Sequence, residues 1–256
     1  MPDNPHRFAA LVESELLAFL LETARFPLSH FSEKGLQLGL LARLTTHDEL
    51  MTPVPTNVTQ KYSSYFDNIR EEEQSNGRDL SQCLDNSYRI RPLQLEYGRG
   101  GSRRIDLCVL DPDDIQQISK ELSFKTRDGQ YVVPVIGVEF GTEKTGWNEM
   151  AKHLSKDAEK LDQCRHRYSI SVMRSDNKGR RSLKGHKRKD ETIDKFRRAI
   201  EEHARQFTRV KWIGLIFHLA LGEVECFTSS GSWQRYDISN DVDSLADPLR
   251  GILDLA

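Results

Sequence analysis

The chain has 256 residues, of which 37% are hydrophobic and 30% are charged, and its formal net charge is −2 at pH 7. This composition is typical of a globular protein with a substantial core, and it excludes a generally basic, histone-like mode of nucleic-acid binding. No apolar run approaches the roughly 18–20 residues of a membrane span, so we expect no membrane partner and a cytoplasmic location. The four cysteines are dispersed and form no Cys-x-x-Cys pair, which favours reduced thiols over structural zinc.

The first 45 residues are predicted to form two helices. Apolar residues recur at helical spacing up to Arg25, and Ser32 is a suitable N-cap for a second helix over Glu33–Leu44. Glu33 has two interpretations: it reaches a site on the following sheet, or it only complements the dipole of its own helix. Residues 46–86 show weak periodicity and are predicted to form an irregular connection.

Residues 87–173 are predicted to form the core sheet. Three apolar, β-branched runs in this region each contain one acid, namely Glu96, Asp106 and Glu139. An ionised carboxylate buried in such a strand costs several kcal/mol unless a positive group neutralises it. That group could be a divalent cation held by oxygen ligands, or a nearby arginine. Three arginines lie close in sequence: Arg99, Arg103 and Arg104.

The order and spacing of these residues resemble the PD-(D/E)XK, or restriction-endonuclease-like, nuclease superfamily. The resemblance consists of a Glu-Tyr pair at Glu96, a hairpin, an Ile-Asp-Leu strand at Asp106 and an apolar Val-Glu-Phe strand at Glu139. It implies an α/β fold with a mixed central sheet flanked by helices. It also implies Mg²⁺, with Mn²⁺ as a substitute, bound by Asp106, Glu139 and the Phe140 carbonyl. In this interpretation Glu96 is an additional acid that binds or tunes the metal.

The lysine that the family carries two residues after the Glu is missing, because residue 141 is glycine. Gly141 permits a bend, so that Lys144 could return to the site and orient the attacking water. Lys152 and Lys156, one helical turn apart on the following segment, are the other candidates. A degenerate site is the alternative, and the chain would then be a non-catalytic module that binds nucleic acid or a protein partner.

A strongly basic segment follows the predicted helix over residues 147–165. Between Arg165 and Arg198 there are thirteen Lys and Arg residues against four Asp and Glu. Within it, residues 174–190 are predicted to form a flexible basic loop, which would add salt-dependent affinity for phosphates or would simply be solvated. The candidate nucleic-acid contacts are Arg99, Arg103, Arg104, Lys152, Lys156, Arg180, Arg181, Lys187 and Arg188.

Residues 191–256 are predicted to add a C-terminal helix and strands to the restriction-endonuclease-like core, with His218 as a hydrogen-bonded core residue. We therefore expect a single α/β domain over residues 1–256. The predicted function is a Mg²⁺-dependent endonuclease acting on DNA in restriction, anti-phage defence or repair, with RNA as the alternative polymer. The resemblance also allows a homodimer, because nuclease dimers that cut both strands are frequent in that family.

Overall fold

The computed structural model describes residues 4–29, 32–57, 89–98, 104–120, 124–142, 147–175 and 183–255. The helices are α1 (Asn4–Arg25), α2 (Glu33–Leu44), α3 (Asp48–Met51), α4 (Pro112–Gln116), α5 (Trp147–Leu161), α6 (Leu183–Gln206) and α7 (Ala246–Leu253), with a 3₁₀ turn at Val242–Leu245. The strands are β1 (Val54–Pro55), β2 (Arg89–Ile90), β3 (Leu93–Gly98), β4 (Arg104–Val109), β5 (Ile118–Lys120), β6 (Lys125–Thr126), β7 (Ile136–Thr142), β8 (His166–Ser175), β9 (Lys211–His218), β10 (Glu223–Phe227) and β11 (Trp233–Asp237). None of the helices described is both long and apolar enough to cross a membrane.

Seven strands form one mixed sheet in the order β11-β10-β9-β8-β7-β4-β3. The pairs β3/β4 and β4/β7 are antiparallel, β7/β8 and β8/β9 are parallel, and β9/β10 and β10/β11 are antiparallel again. A parallel pair needs a crossover connection, and α5 and α6 provide the two that occur here. The carboxyl ends of β7, β8 and β9 therefore lie at the same edge of the sheet. The prediction of a mixed central sheet flanked by helices is confirmed.

Helices cover both faces of this sheet. One apolar cluster joins α1, α2 and α7 to the first face and includes Phe19, Leu40 and Leu249. A second cluster joins α5 and α6 to the opposite face and includes Leu154 and Phe196. Because side chains alternate along a strand, β7 sends its residues to these two layers in turn, and its odd-numbered residues face α5.

The sequence of residues 111–114 predicts a cap for a short helix over residues 115–122, and the bounds of that helix are wrong. Asp111 is the N-cap and Pro112 occupies the first turn, so α4 begins earlier and ends at Gln116. The residues after it form a short hairpin, in which Ile118 pairs with Thr126. Ile118 is fully buried, so packing rather than helix propensity decides the structure of this segment.

The predicted basic loop over residues 174–190 is also wrong in part. Arg174 and Ser175 are the last residues of β8, and residues 183–190 are the first two turns of α6. Lys and Arg have good helix propensity, and adding a turn to a helix already anchored through its later residues costs little free energy. Arg180 and Arg181 lie outside the described residues. The irregular connection predicted over residues 46–86 contains helix α3 and strand β1, so the prediction is wrong at these two elements. Residues 58–86 lie outside the described residues.

Helix α7 was not predicted, although its signal is present in the sequence. Leu249, Ile252 and Leu253 have helical spacing and are buried against the first face of the sheet. The helix has only eight residues, and a segment so short gives a weak periodic signal. His218 is confirmed as a buried, hydrogen-bonded residue, with its Nε2 atom 2.9 Å from Glu225 Oε1.

Candidate active site

Strands β4 and β7 stop pairing through their backbones at the point where the two predicted acids occur. The last ladder pair before this point is Leu107 with Val138. Beyond it, the Asp106 N–H donates to Glu139 Oε1 at 3.3 Å, and the Phe140 N–H donates to Asp106 Oδ2 at 2.8 Å. Carboxylate oxygens thus replace backbone acceptors, and the two acids meet in the gap between the strands.

Helix α2 holds the backbone of Asp106 from the other side. Gln37 Nε2 donates to the Asp106 carbonyl at 2.5 Å, and Gln37 Oε1 accepts from Lys34 Nζ at 2.5 Å. Gln37 is buried, and a buried amide must find partners for both its donor and its acceptor. The hydrogen bond from Gln37 gives the Asp106 carbonyl a partner at the point where the pairing of β4 with β7 ends.

Helix α5 presents a polar stripe to the same gap: His153, Asp157 and Lys160, at positions i, i+4 and i+7 of one helical face. Lys160 Nζ donates to Glu139 Oε2 at 2.6 Å and to Asp157 Oδ1 at 3.2 Å. His153 Nε2 lies 3.3 Å from Asp157 Oδ2. Sequence reasoning missed all three as site residues, and the available signal was that their spacing puts them on one face beside the apolar stripe.

The structure explains why a glycine occupies the position two residues after Glu139. Gly141 faces α5, and a Cβ atom there would lie 3.3 Å from Ser171 Oγ and 3.7 Å from His153 Nε2. A lysine side chain at this position would therefore meet atoms that already fill the space. The ammonium group reaches Glu139 from α5 instead, through Lys160.

Positive charge is scarce in this cluster. Burial raises the pKa of Asp106 to about 6, although the Phe140 N–H and the charge of Lys160 both lower it. Burial first, and then repulsion from Asp157 and Asp106, raises the pKa of Glu139 well above its usual value. Burial also raises the pKa of Asp157, and His153 and Lys160 offset that rise only in part. Within the part of the chain that the structure describes, three carboxyl groups therefore share the ammonium group of Lys160.

Lys160 itself stays protonated. Burial disfavours its charged form, but attraction and hydrogen bonds to Glu139 and Asp157 outweigh that effect, so the pKa of Lys160 is raised. The side chain is 17% exposed, against 1% for each of its two partners. The cation beside Glu139 is thus a lysine. Of the three arginines named as alternative partners, Arg104 is exposed, and Arg99 and Arg103 lie outside the described residues.

The other predicted site acids lie at the margin of the cluster. Glu96, in β3, adopts a φ of 51°. Its side chain is 47% exposed and lies 3.8 Å from Lys34 Nζ. Glu33 Oε2 lies 3.9 Å from His153 Nε2, and its charge contributes to the raised pKa of Asp106. Glu33 is therefore close enough to the site to influence it.

The predicted basic residues are more scattered. Lys152 and Lys156 are exposed on α5, whereas Lys160, one further turn along, reaches the acids. Arg104 is exposed at the start of β4. Besides Arg180 and Arg181, three predicted residues lie outside the described residues: Arg99, Arg103 and Lys144. Lys187 and Arg188 lie in the first two turns of α6.

The donor atoms of the cluster suit a hard cation. Asp106 and Glu139 offer carboxylate oxygens, and Asp106 Oδ1 accepts no hydrogen bond from the residues that the structure describes. The Phe140 N–H points to the β4 side, and in a strand the carbonyl of the same residue points that way too. Oxygen donors of these types are those that Mg²⁺ and Mn²⁺ prefer. Over the described ranges, however, no three His, Cys, Asp or Glu side chains form a ready-made metal-binding group.

Comparison with family models, curated proteins and solved structures finds no match to this chain.

Proposed function

We propose that this protein is a metal-dependent endonuclease that hydrolyses phosphodiester bonds, with DNA rather than RNA as its substrate. Its setting would be restriction, anti-phage defence or repair. The observation that carries the proposal is the meeting of Asp106, Glu139 and Lys160 in the gap between β4 and β7. The element order supports it, because one helix, three antiparallel strands, a second helix and a parallel strand fit the restriction-endonuclease-like core that the sequence resembles.

In this proposal, Asp106, Glu139 and the Phe140 carbonyl hold the cation, and Glu96 tunes it from the margin. A bound Mg²⁺ would supply charge neutralisation at the phosphate and would lower the pKa of the attacking water. Two carboxylates whose ionisation is disfavoured in the metal-free chain become ionised without penalty when a divalent charge is present. The pKa shifts of Asp106 and Glu139 therefore support a cation site.

Lys160 takes the part that the family gives to its strand lysine. Its ammonium group lies 2.6 Å from Glu139 Oε2, which places a positive donor beside the proposed ligands without any bend after Gly141. A fixed ammonium group can hold a water oxygen for attack and stabilise negative charge that develops on the phosphate. This assignment replaces Lys144, which lies outside the described residues, and the other two candidates, Lys152 and Lys156, as the lysine of the site.

The polymer would be drawn in by the basic segment between Arg165 and Arg198. Strand β8 ends at Ser175, at the same sheet edge as the carboxyl end of β7, and Glu139 and Phe140 lie three and two residues before that end of β7. The first two turns of α6 carry Lys184, Lys187, Arg188 and Lys189. Basic residues next to a cleavage site provide affinity for phosphates that does not depend on sequence.

The test is a cleavage assay with supercoiled plasmid, single-stranded DNA and single-stranded RNA in Mg²⁺ or Mn²⁺. We expect Asp106→Asn, Glu139→Gln and Lys160→Met each to reduce plasmid cleavage by at least about 100-fold, since each removes charge stabilisation at the phosphate. Asp247→Asn is the matched control, because Asp247 is 92% exposed on α7. Equal cleavage by wild type and the three site variants would remove these residues from the reaction.

A second candidate is a non-catalytic module that uses the same fold to bind nucleic acid or a protein. The observation in its favour is that the described residues contain no ready-made group of three metal ligands. This candidate predicts that wild type cleaves none of the three substrates and is not stabilised by Mn²⁺.

The basic segment is tested separately by charge reversal. Changing Arg180, Arg181, Lys187 and Arg188 to Glu together should weaken binding of a short DNA duplex. It should also flatten the dependence of log K on log salt concentration, by about 0.9 for each phosphate that the variant no longer neutralises. A slope equal to that of wild type would exclude these residues from the interface.

A further inference from the structure

Lys160 occupies an unusual place for a water-orienting lysine, because it bridges two nearly inaccessible carboxylates. Glu139 and Asp157 are each 1% exposed, and Lys160 Nζ lies 2.6 Å from the first and 3.2 Å from the second. Asp157 is not among the proposed cation ligands, and its second oxygen lies 3.3 Å from His153 Nε2. This carboxylate therefore has no assigned role in the proposed reaction.

We propose that Lys160 is the internal counter-cation of the metal-free site, and that Asp157 is a positioning residue that receives its ammonium group when a divalent cation binds at Asp106 and Glu139. The inference rests on the proposed function, since it concerns the same cation. It assigns Asp157 to the positioning of Lys160. In the metal-free chain, the ammonium group of Lys160 occupies the place beside Glu139 that the cation would take.

The argument starts from the repulsion between like charges. An ammonium group that donates to Glu139 Oε2 lies within a few ångströms of any cation held by the same carboxylate, and the interaction between such charges is worth several kcal/mol at a partly buried site. Lys160 must then move, and its side chain has four flexible methylene groups with which to do so. The other acceptor within reach is Asp157 Oδ1.

Asp157 is suited to receive the charge. It sits one helical turn before Lys160, so the ammonium group can stay bonded to it while turning away from Glu139. It lies on the same helix as Lys160, and its carboxyl group also contacts Glu139. A lysine kept in this position remains charged and remains next to the gap, where it can hold a water molecule.

The proposal predicts opposite effects on cation affinity from two neighbouring substitutions. Lys160→Met removes the competing charge and should tighten Mn²⁺ binding by about tenfold. Asp157→Asn removes the acceptor that the ammonium group needs and should weaken Mn²⁺ binding by about tenfold. If Lys160 and Asp157 were only structural, removing either would disturb the site and weaken binding in both variants.

The experiment counts free Mn²⁺ by electron paramagnetic resonance during titration of the full chain at pH 8, where protons compete less for Glu139. Circular dichroism checks that each variant is folded, and Lys160→Gln replaces Lys160→Met if the latter is not. Two exposed residues provide matched controls, Arg205→Met on α6 for the removal of a positive charge and Glu149→Gln on α5 for the removal of a negative charge. Both controls should stay within about twofold of wild type, because solvent screens their charges.

Tighter binding by Lys160→Met together with weaker binding by Asp157→Asn supports the proposal. Binding by Lys160→Met that is unchanged or weaker, binding by Asp157→Asn that is not weaker, or no Mn²⁺ binding by wild type overturns it. The Mn²⁺ titration and the cleavage assay test different claims, so one can fail while the other succeeds. If cleavage depends on Asp106 but Lys160→Met does not bind Mn²⁺ more tightly, only this inference is wrong. If Lys160→Met binds Mn²⁺ more tightly but wild type does not cleave, only the proposed nuclease activity is wrong.

Discussion

Two buried glutamates on the same face of the sheet have opposite electrostatic surroundings. Glu225, 4% exposed, accepts hydrogen bonds from Arg197 and Arg235 and lies 2.9 Å from His218 Nε2. Burial alone would raise its pKa, but these partners outweigh burial and the pKa of Glu225 is lowered. Glu139, 1% exposed, has one lysine, and its pKa is raised.

The comparison shows that a buried carboxylate is not by itself a sign of function. The cluster around Glu225 is supplied with enough positive charge and ties α6 to the strands β9, β10 and β11. Among the described residues, the cluster around Glu139 has less positive charge than negative charge, because Asp106 and Asp157 compete with it for Lys160. A shortage of this kind is what a site prepared for an external cation requires.

The largest expected difference concerns stability without metal. Glu225→Gln leaves two arginines near a buried neutral group and should lower the free energy of unfolding by about 3–5 kcal/mol. Glu139→Gln replaces a carboxyl group whose charged form the metal-free chain stabilises poorly, so we expect a loss of less than about 1 kcal/mol, or a gain. Urea unfolding in the presence of a chelator measures both values. Equal losses in the two variants would show that Glu139 is as well compensated as Glu225.

The next expected difference is that the contributions of Asp106 and Glu225 to the free energy of unfolding change in opposite directions with pH. The pKa of Asp106 is raised from 3.8 to about 6, so its contribution to stability is fully present below pH 4 and is lost as pH rises through 6. Glu225 has a lowered pKa, so its contribution is present above pH 4.5 and is lost as pH falls. We expect metal-free Asp106→Asn to gain about 2 kcal/mol relative to wild type between pH 4 and pH 7.

Unfolding of the two proteins across that pH range provides the measurement. A constant difference between wild type and Asp106→Asn would mean that Asp106 titrates alike in the folded and unfolded chains. Saturating Mg²⁺ should remove the pH-dependent part, because a bound cation favours the ionised carboxylate.

The smallest expected effect concerns Gly141, the position where the resembled family carries its lysine. Gly141→Ala should lower the free energy of unfolding by about 1 kcal/mol, since the new methyl group meets Ser171 Oγ. For the same reason, Gly141→Lys should not restore cleavage to Lys160→Met. Recovery of cleavage in that double variant would show that a lysine at position 141 can reach the cation after all.

The sequence predicted the parts of the site that lie on strands. Asp106 and Glu139 stand out because each interrupts an apolar run, and the family resemblance implied that both bind the same metal ion. Lys160 was not identified, since its spacing shows only that it shares a helical face with His153 and Asp157 and not that this face is turned toward buried acids. Its importance follows from the packing of α5 against β7, which is a tertiary property.

The same limit applies to the Glu225 cluster and to the basic segment. Arg197, Arg235 and His218 are far apart along the chain and meet only because β9, β10 and β11 are neighbours in the sheet. Residues 183–190 were expected to form a loop because they lack apolar residues, yet they continue a helix that is anchored later, at Ile193 and Phe196. The composition of residues 183–190 gives no indication of the buried residues that follow them in the same helix.

A crystal of the protein soaked in Mn²⁺, with anomalous scattering recorded from the metal, tests the central claim most directly. We predict an anomalous peak in the gap between β4 and β7, in contact with carboxylate oxygens of Asp106 and Glu139 and with the Phe140 carbonyl, and Lys160 hydrogen-bonded to Asp157. A well-occupied crystal with no peak in this gap and with Lys160 still bonded to Glu139 would contradict the claim that this cluster is a cation site.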